Sequence, residues 1–405
     1  MLAAAVSAYY RHMRRVIIAS ILVIGLATAV AAQEDRLETF QSSFASSNLQ
    51  TKLEILRAAA SEDAAAFGPL YGQALSFAVS NAEDLSSEQL LREIALVSIN
   101  RIDEAGFTDA VNDLWRLFRL YNETTARIEI ATVLGGLAGE SEQTIEYMNQ
   151  WVATRNNLTR AGTDVDLQVL SAVVQAIGNL GSSSSFPAVV DVILVDYPDF
   201  VTDDATTALS RLDGVALEMA SDYILDQDIQ DRYEALVFFV SGGYLSEPDS
   251  WELSRRVLAD TLRRRPQERG ILEEARRIRF YAADVIRNAE YSEATATVIR
   301  HFNETVLEFD RGRIVRSRLL EAIATLGAMG SDPAAARLTE YLELLNTYTE
   351  IDRPYETQIV LATIQNLQIL DRPSSYNALF STSILENYPS RVKDAAREAM
   401  RVVAQ

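Results

Sequence analysis

Residues 166–181, which read Asp-Leu-Gln-Val-Leu-Ser-Ala-Val-Val-Gln-Ala-Ile-Gly-Asn-Leu-Gly, carry the pattern that decides the fold. Leu167, Leu170, Val174 and Ile177 recur every three or four residues, so they line one face of a helix. The apolar stripe ends in Ile177-Gly178 and Leu180-Gly181, two pairs of a large aliphatic residue and a glycine. We call such a pair the Leu-Gly phrase. This stretch therefore predicts an amphipathic helix that is buried along one side.

The same phrase returns along the chain as Leu134-Gly135 and Leu326-Gly327, with looser copies near residues 99, 209, 286, 367 and 400. The steps between copies run from 32 to 43 residues, apart from one gap of 77, which is about two periods. A period in this range is typical of stacked helical repeats. Strand-like alternation is scarce, and the best strand candidate, 189–195, follows Pro187 and is interpreted as a helix with that proline in its first turn.

The glycines of the phrase are expected to end helices, because a left-handed residue is common there and glycine adopts it without strain. The six glycines concerned are Gly135, Gly139, Gly178, Gly181, Gly327 and Gly330.

Residues 166–178 resemble the second helix of a HEAT repeat, with Asp166, Val169, the spaced alanines Ala172 and Ala176, and the closing Ile177-Gly178. Other copies match in part, and the resemblance covers roughly residues 50–404. It implies an all-α fold, a right-handed α-solenoid of about nine stacked antiparallel helix pairs over residues 33–405. No clean copy is visible at 228–250, so an irregular break is expected there.

The first 32 residues form a targeting signal. Arg11, Arg14 and Arg15 precede an apolar run at 16–26, and small residues follow at 27–32. This order is typical of a cleaved signal peptide, 1–32, with Met13 as an alternative start. The chain is therefore expected to be periplasmic or secreted, with no membrane span after cleavage. An uncleaved N-terminal membrane anchor is the alternative.

Composition restricts the possible chemistry. The chain has no cysteine, and once the leader with His12 is removed, His301 is its one histidine. A catalytic triad or a histidine–cysteine metal site cannot be built from one histidine. The acidic run 226–231 lacks the glycine and the final glutamate of a calcium loop. No catalytic residue, cofactor or metal site is predicted, and His301 is expected to be structural.

Charge is unevenly distributed along the chain. The net charge is −20, yet residues 255–318 hold 15 Arg against 10 Asp and Glu. The acidic body argues against nucleic acid as a partner. Guanidinium groups recognise carboxylates and phosphates, so the basic stretch is the candidate for binding another protein. The predicted partner-binding residues are Arg263, Arg264, Arg265, Arg276, Arg277, Arg313 and Arg316.

Arg276 and Arg316 lie 40 residues apart and should occupy adjacent second helices, which line the concave face in HEAT-like arrays. The competing interpretation is that these arginines pair with acidic residues inside the array. Replacing Arg276 and Arg316 by Glu is expected to abolish partner capture without unfolding.

The sequence thus predicts an exported, non-enzymatic scaffold that binds a protein partner, in the cell envelope, through its concave face. A structural subunit of an envelope assembly, or an enzyme or ligand-binding module with a site in the groove, remains an alternative. A closed cavity with convergent carboxylates would favour the enzyme, and an open groove with arginines would favour the scaffold.

Overall fold

The structure, a computed structural model, describes residues 34–195, 197–212, 217–264, 268–351 and 356–404. The predicted signal peptide and Arg265 lie outside these residues. The chain divides into two compact units, Met1–Gly214 and Val215–Gln405. The division falls upstream of the break that the sequence predicts at 228–250, where the structure has a helix of ten residues.

The described residues are helical throughout both units and contain no β-strand. The helices of the first unit are α1 (34–46), α2 (Leu49–Ala59), α3 (Ala64–Ser80), α4 (Gln89–Ala105), α5 (Val111–Leu120), α6 (Thr124–Leu137), α7 (Glu142–Arg160), α8 (Leu167–Leu180), α9 (Phe186–Leu194) and α10 (Asp199–Arg211). The helices of the second unit are α11 (Leu217–Asp226), α12 (Arg232–Ser241), α13 (Glu247–Arg264), α14 (Arg269–Asn288), α15 (Thr295–Asp310), α16 (Arg316–Gly327), α17 (Asp332–Glu350), α18 (Thr357–Leu370), α19 (Tyr376–Ile384) and α20 (Ser390–Val403). The prediction of an all-α fold is confirmed for these residues.

Most of the short 3-10 turns lie just before an odd-numbered helix. They span Ala82–Asp84, Thr108–Ala110, Ala138–Glu140, Ser183–Ser185, Ser292–Ala294 and Pro373–Ser375. All but the first lead directly into an odd-numbered helix or end one residue before it. The prediction at Pro187 is also confirmed, because α9 carries that proline in its first turn.

Sequence-adjacent helices pack in pairs within each unit. In the first unit α3 contacts α4, α5 contacts α6, α7 contacts α8 and α9 contacts α10. In the second unit the pairs run from α11 and α12 to α19 and α20. Within each unit, even-numbered helices also contact the next even-numbered helix, and odd-numbered helices the next odd-numbered one. Each unit therefore has an even row and an odd row of helices.

The core lies between the two rows. On α8, Leu170, Val174 and Ile177 are fully buried, so the predicted apolar stripe is the buried face of this helix. On α4 the side chains of Leu91, Ile94, Ile99 and Ile102 are buried in the same way, together with the small residue Ser98.

The glycines of the recurring phrase have two different roles. Gly181 and Gly330 follow helix ends and have positive φ angles of 67° and 59°, so the prediction of helix termination is confirmed for them. Gly139 has no positive φ and lies in a 3-10 turn, so the prediction of a left-handed helix end is wrong there.

The prediction is also wrong for Gly135 and Gly178, which lie inside α6 and α8. A Cβ at Gly135 would lie 2.8 Å from the Cα of Ala176, and one at Gly178 would lie 2.7 Å from the Cα of Ala208. Real Cβ atoms do not approach a backbone that closely, so these glycines let successive even-row helices touch.

Gly327 repeats this arrangement in the second unit. It is the last residue of α16, its φ is not positive, and its missing side chain makes room for Asn366 of α18. The Leu-Gly phrase therefore recurs mainly because close packing of the even row requires it.

Candidate functional site

Asp260 of α13 binds three arginines in the second unit. Arg232 of α12, which is fully buried, donates to Asp260 Oδ2 over 2.6 Å, and Arg264 Nε donates to the same oxygen over 2.7 Å. Arg263 also pairs with this carboxylate. Burial raises the pKa of Asp260, but the hydrogen bonds from these arginines outweigh it and lower the pKa to about 2. The cluster fastens α12 to α13.

Glu308 of α15 forms a second buried centre. Its Oε1 accepts from Arg276 Nε over 2.9 Å, and its Oε2 accepts from Arg279 Nη2 over 2.5 Å. All three side chains are less than a tenth exposed. Arg276 also donates to Glu273 over 2.6 Å. This network ties α14 to α15.

A third carboxylate engages the first arginines of the basic stretch. Glu252 accepts from Arg255 over 2.5 and 2.6 Å and from Arg256 over 3.0 Å. The hydrogen bond from Arg255 is the main cause that lowers the pKa of Glu252 to about 2, in spite of burial, and Arg256 adds to it. Tyr291 donates to the same carboxylate over 3.2 Å.

Most of the predicted arginines therefore have partners inside the chain. Arg263 and Arg264 are exposed but pair with the buried Asp260, and Arg276 is itself buried against Glu308. Arg316 Nη1 lies 2.6 Å from Glu356, which precedes the next even-row helix, α18. α14 and α16 are neighbours, as the 40-residue spacing predicts. Arg276 is however too buried to meet a partner, so its replacement by Glu is now expected to disturb the fold.

His301 is fully buried on α15 and forms a T-shaped contact with Phe280, with ring centroids 5.1 Å apart. Neither ring nitrogen has a hydrogen-bond partner among the described residues. Burial, and to a smaller extent the nearby charge of Arg279, lower the pKa of His301 to about 3. The folded protein therefore keeps this imidazole neutral well below the usual histidine pKa.

This depressed pKa predicts a pH effect on stability. Below about pH 6.5 the imidazole of His301 binds a proton in the unfolded chain, whereas in the folded chain it stays neutral down to about pH 3. The free energy of unfolding therefore falls as the pH drops through this window. The slope should approach about 1.4 kcal/mol per pH unit. Urea unfolding measured at a series of pH values gives the free energy of unfolding as a function of pH. In the His301→Leu variant, the contribution of His301 to its slope should be absent between pH ~6 and ~4.5. An unchanged slope would show that the imidazole is not held neutral.

A concave surface on the second unit brings several of these arginines together, and we call it the arginine cleft. It has a volume of about 680 Å³ and is formed by α12, α14, α16 and the turn 311–315. Its described lining contains five guanidinium groups, those of Arg276, Arg277, Arg287, Arg313 and Arg318. It contains three carboxylates, those of Glu273, Asp284 and Glu321, and the aromatic rings of Tyr233, Phe280 and Tyr281.

The three carboxylates of the cleft are each paired with an arginine of the same helix. Arg276 binds Glu273, Arg287 binds Asp284, and Arg318 Nη1 lies 2.8 Å from Glu321. Arg277 and Arg313 are the two cations left over. Arg277 lies 3.7 Å from Glu274, which is beyond hydrogen-bond distance, and its side chain is 53% exposed.

Arg277 and Arg313 are held in place by different means. The guanidinium carbon of Arg277 lies 3.6 Å from the ring centroid of Tyr233, so the planar group stacks on the ring. Arg313 follows Gly312, whose φ of 64° reverses the chain after α15. The Arg313 N–H donates to the carbonyl of Glu308 over 2.9 Å, which closes a Schellman turn. The exposed Arg313 side chain makes no ion pair within the described residues.

The structure thus brings Arg276, Arg277 and Arg313 of the predicted set to one surface. Arg263, Arg264 and Arg316 do not line the arginine cleft, and Arg265 lies outside the described residues. Tyr233 and Arg287 also line the arginine cleft but are not among the predicted residues. The spacing of Arg287 was a usable signal, since positions 277, 280, 284 and 287 recur at helical steps along α14.

Among the described residues, no helix is both long and apolar enough to cross a membrane. Nor do three or more His, Cys, Asp or Glu side chains come together there as metal ligands would.

Comparisons with known proteins do not assign this chain to a family. No protein-family profile matches the chain, and no curated protein matches its sequence. Among solved structures, it is similar to an engineered protein known from a crystal structure, at 15% identity and a TM-score of 0.30, over 91% of this chain and 99% of that chain. At that TM-score the likeness carries no argument about fold or function.

Proposed function

We propose that this chain is an exported, non-catalytic scaffold that binds another protein through the arginine cleft. The observation that carries the proposal is the pair of cations Arg277 and Arg313, which have no hydrogen-bonded carboxylate among the described residues and are held in a concave surface with aromatic walls. Aromatic residues and arginine are the residue types that dominate the energetics of protein interfaces.

The architecture we propose is a right-handed, HEAT-like α-solenoid of about nine stacked antiparallel pairs. The contacts of even-row helices with even-row helices, and of odd with odd, support it within each unit. Glycine contacts at a regular place on α6, α8 and α16 support it further. In such an array the even row would form the concave face, which is where α12, α14 and α16 present the cleft.

The cleft supports binding rather than catalysis. Its carboxylates are neutralised by arginines of their own helices, so none is left to act as a general acid or base. No cofactor or metal is proposed. The basic and apolar leader at 11–26 supports export to the periplasm or beyond.

The test is photocrosslinking in the native cell envelope from a photoreactive residue at position 315. Val315 lines the cleft and is 68% exposed, so the substitution should be tolerated. Ile384 of the odd-row helix α19, which is 60% exposed, is the matched control position. We expect a protein adduct from position 315 that is absent from position 384.

The absence of any adduct from position 315, or the same adducts from both positions, would overturn the proposal. An adduct between two copies of this chain would instead indicate a structural subunit of an assembly.

A further inference from the structure

We propose that the arginine cleft recognises an extended acidic segment of its partner, in which carboxylates alternate with aliphatic side chains. The inference rests on the proposed function and adds the chemistry of the ligand to it. Three observations support it: the stacking of Arg277 on Tyr233, the excess of positive charge in the cleft, and the apolar surface beside Arg313.

Arg277 is preorganised for a carboxylate. Stacking on Tyr233 uses the face of the guanidinium group and leaves its in-plane N–H groups to point away from the ring. Those N–H groups match the two oxygens of a carboxylate in a bidentate arrangement. Because the ring already fixes the side chain, little conformational entropy remains to be lost on binding.

Arg313 supplies a second donor from a different element, the turn that follows α15. Its backbone is held by the turn at Gly312, and its main-chain N–H is bonded to Glu308, whose carboxylate is itself fixed by Arg276 and Arg279. The exposed guanidinium therefore stands on a rigid base although it has no ion-pair partner among the described residues. Two positioned cations on two elements suit a ligand with two negative charges spaced along a chain.

The charge balance favours carboxylates over phosphates and nucleic acid. Five guanidinium groups and three carboxylates line the cleft, which leaves an excess of two positive charges. Two monoanionic side chains would match this excess. A run of phosphates would place more negative charge beside the three resident carboxylates and beside a protein of net charge −20.

The neighbouring surface is apolar. Val315 is exposed and Ile314 is half-buried at the end of the turn, next to Arg313. Tyr281 lies on the α14 side of the same cleft. An extended chain turns successive side chains to opposite sides, so a Glu-aliphatic alternation would place carboxylates on the arginines and aliphatic groups on this surface.

The experiment measures the binding of a short labelled peptide, in which Glu alternates with Leu, to the purified mature chain by fluorescence anisotropy. A peptide with Gln in place of Glu tests the carboxylates, and inorganic phosphate and a single-stranded oligonucleotide serve as competitors. We expect binding that weakens with salt, is lost with the Gln peptide and is not displaced by either competitor at matched ionic strength.

Variants locate the binding. Arg277→Glu and Arg313→Glu should each weaken the peptide by roughly tenfold or more. Arg277→Lys should lose part of the affinity, since an amine cannot form the bidentate contact. Arg300→Glu is the matched control, because Arg300 is exposed on α15 and does not line the cleft. It should bind as the wild type does.

Equal binding of the Gln peptide, displacement by phosphate or the oligonucleotide, or equal weakening by Arg300→Glu would overturn the inference. Failure of the peptides together with a protein adduct from position 315 would remove the ligand class and leave the proposed function. Peptide binding without any adduct in the envelope would support the ligand class and overturn the proposed function.

Discussion

Replacing Glu308 by Ala should lower the free energy of unfolding of the second unit by about 3–5 kcal/mol. Glu308 is the shared partner of Arg276 and Arg279, and both guanidinium groups are almost fully buried. Without Glu308 the two buried guanidinium groups would lose the carboxylate between them, and Arg279 would keep no carboxylate partner among the described residues, whereas Arg276 would keep Glu273. The cost of an uncompensated buried charge is much larger than the net worth of the pair, which is why the loss should be large.

The measurement is urea unfolding followed by circular dichroism, with hydrogen exchange of α14 and α15 to assign the loss to this unit. Glu343→Ala is the matched control, since Glu343 is an exposed carboxylate on α17 of the same unit. It should change stability by less than about 0.5 kcal/mol. Replacing Arg276, Arg279 and Glu308 together by methionine or leucine should recover much of the loss. A loss at Glu308 no larger than that of the control would contradict the account of the buried centre.

Replacing Gly135 by Leu should cost about 3 kcal/mol or more, whereas the same change at the adjacent Gly136 should be neutral or stabilising. A Cβ at Gly135 would lie 2.8 Å from the backbone of Ala176, so any side chain forces α6 away from α8. At Gly136 the nearest atom to such a Cβ, apart from near neighbours, is Asp103 Oδ1 at 3.8 Å. There the helix would simply gain a better helix-forming residue, worth up to about 1 kcal/mol.

Both variants can be compared by thermal unfolding under identical conditions. The opposite signs expected at two adjacent glycines make the comparison sensitive, because effects on expression or on the unfolded chain should be alike. If both substitutions stabilised the protein, Gly135 would not be a point of helix contact.

The sequence was sufficient to predict the helices, but it was not sufficient to predict the roles of individual residues. The stripe on α8 and the proline of α9 could be predicted because periodicity and proline geometry are local properties. The roles of Gly135 and Gly181 could not be separated in this way. A glycine that ends a helix and a glycine that admits a neighbouring helix follow the same apolar run, and only the tertiary contact distinguishes them.

The different roles of Arg276 and Arg277 could not be predicted from the sequence either. They are adjacent in a basic run, so composition treats them alike. The buried partner of Arg276 is Glu308, which lies 32 residues further along the chain, and the ring beneath Arg277 is Tyr233 of a different helix. Both partners depend on how the helices pack, which residue spacing alone does not specify.

The central claim is that Arg277 and Arg313 form a binding surface while their neighbours hold the fold together. The most direct test repeats the photocrosslinking from position 315 in a chain that carries Arg277→Glu and Arg313→Glu, with a thermal melt of the same protein. The account predicts a melting temperature close to that of the unsubstituted chain and the loss of the protein adduct. An adduct of unchanged yield in a folded double variant would contradict it.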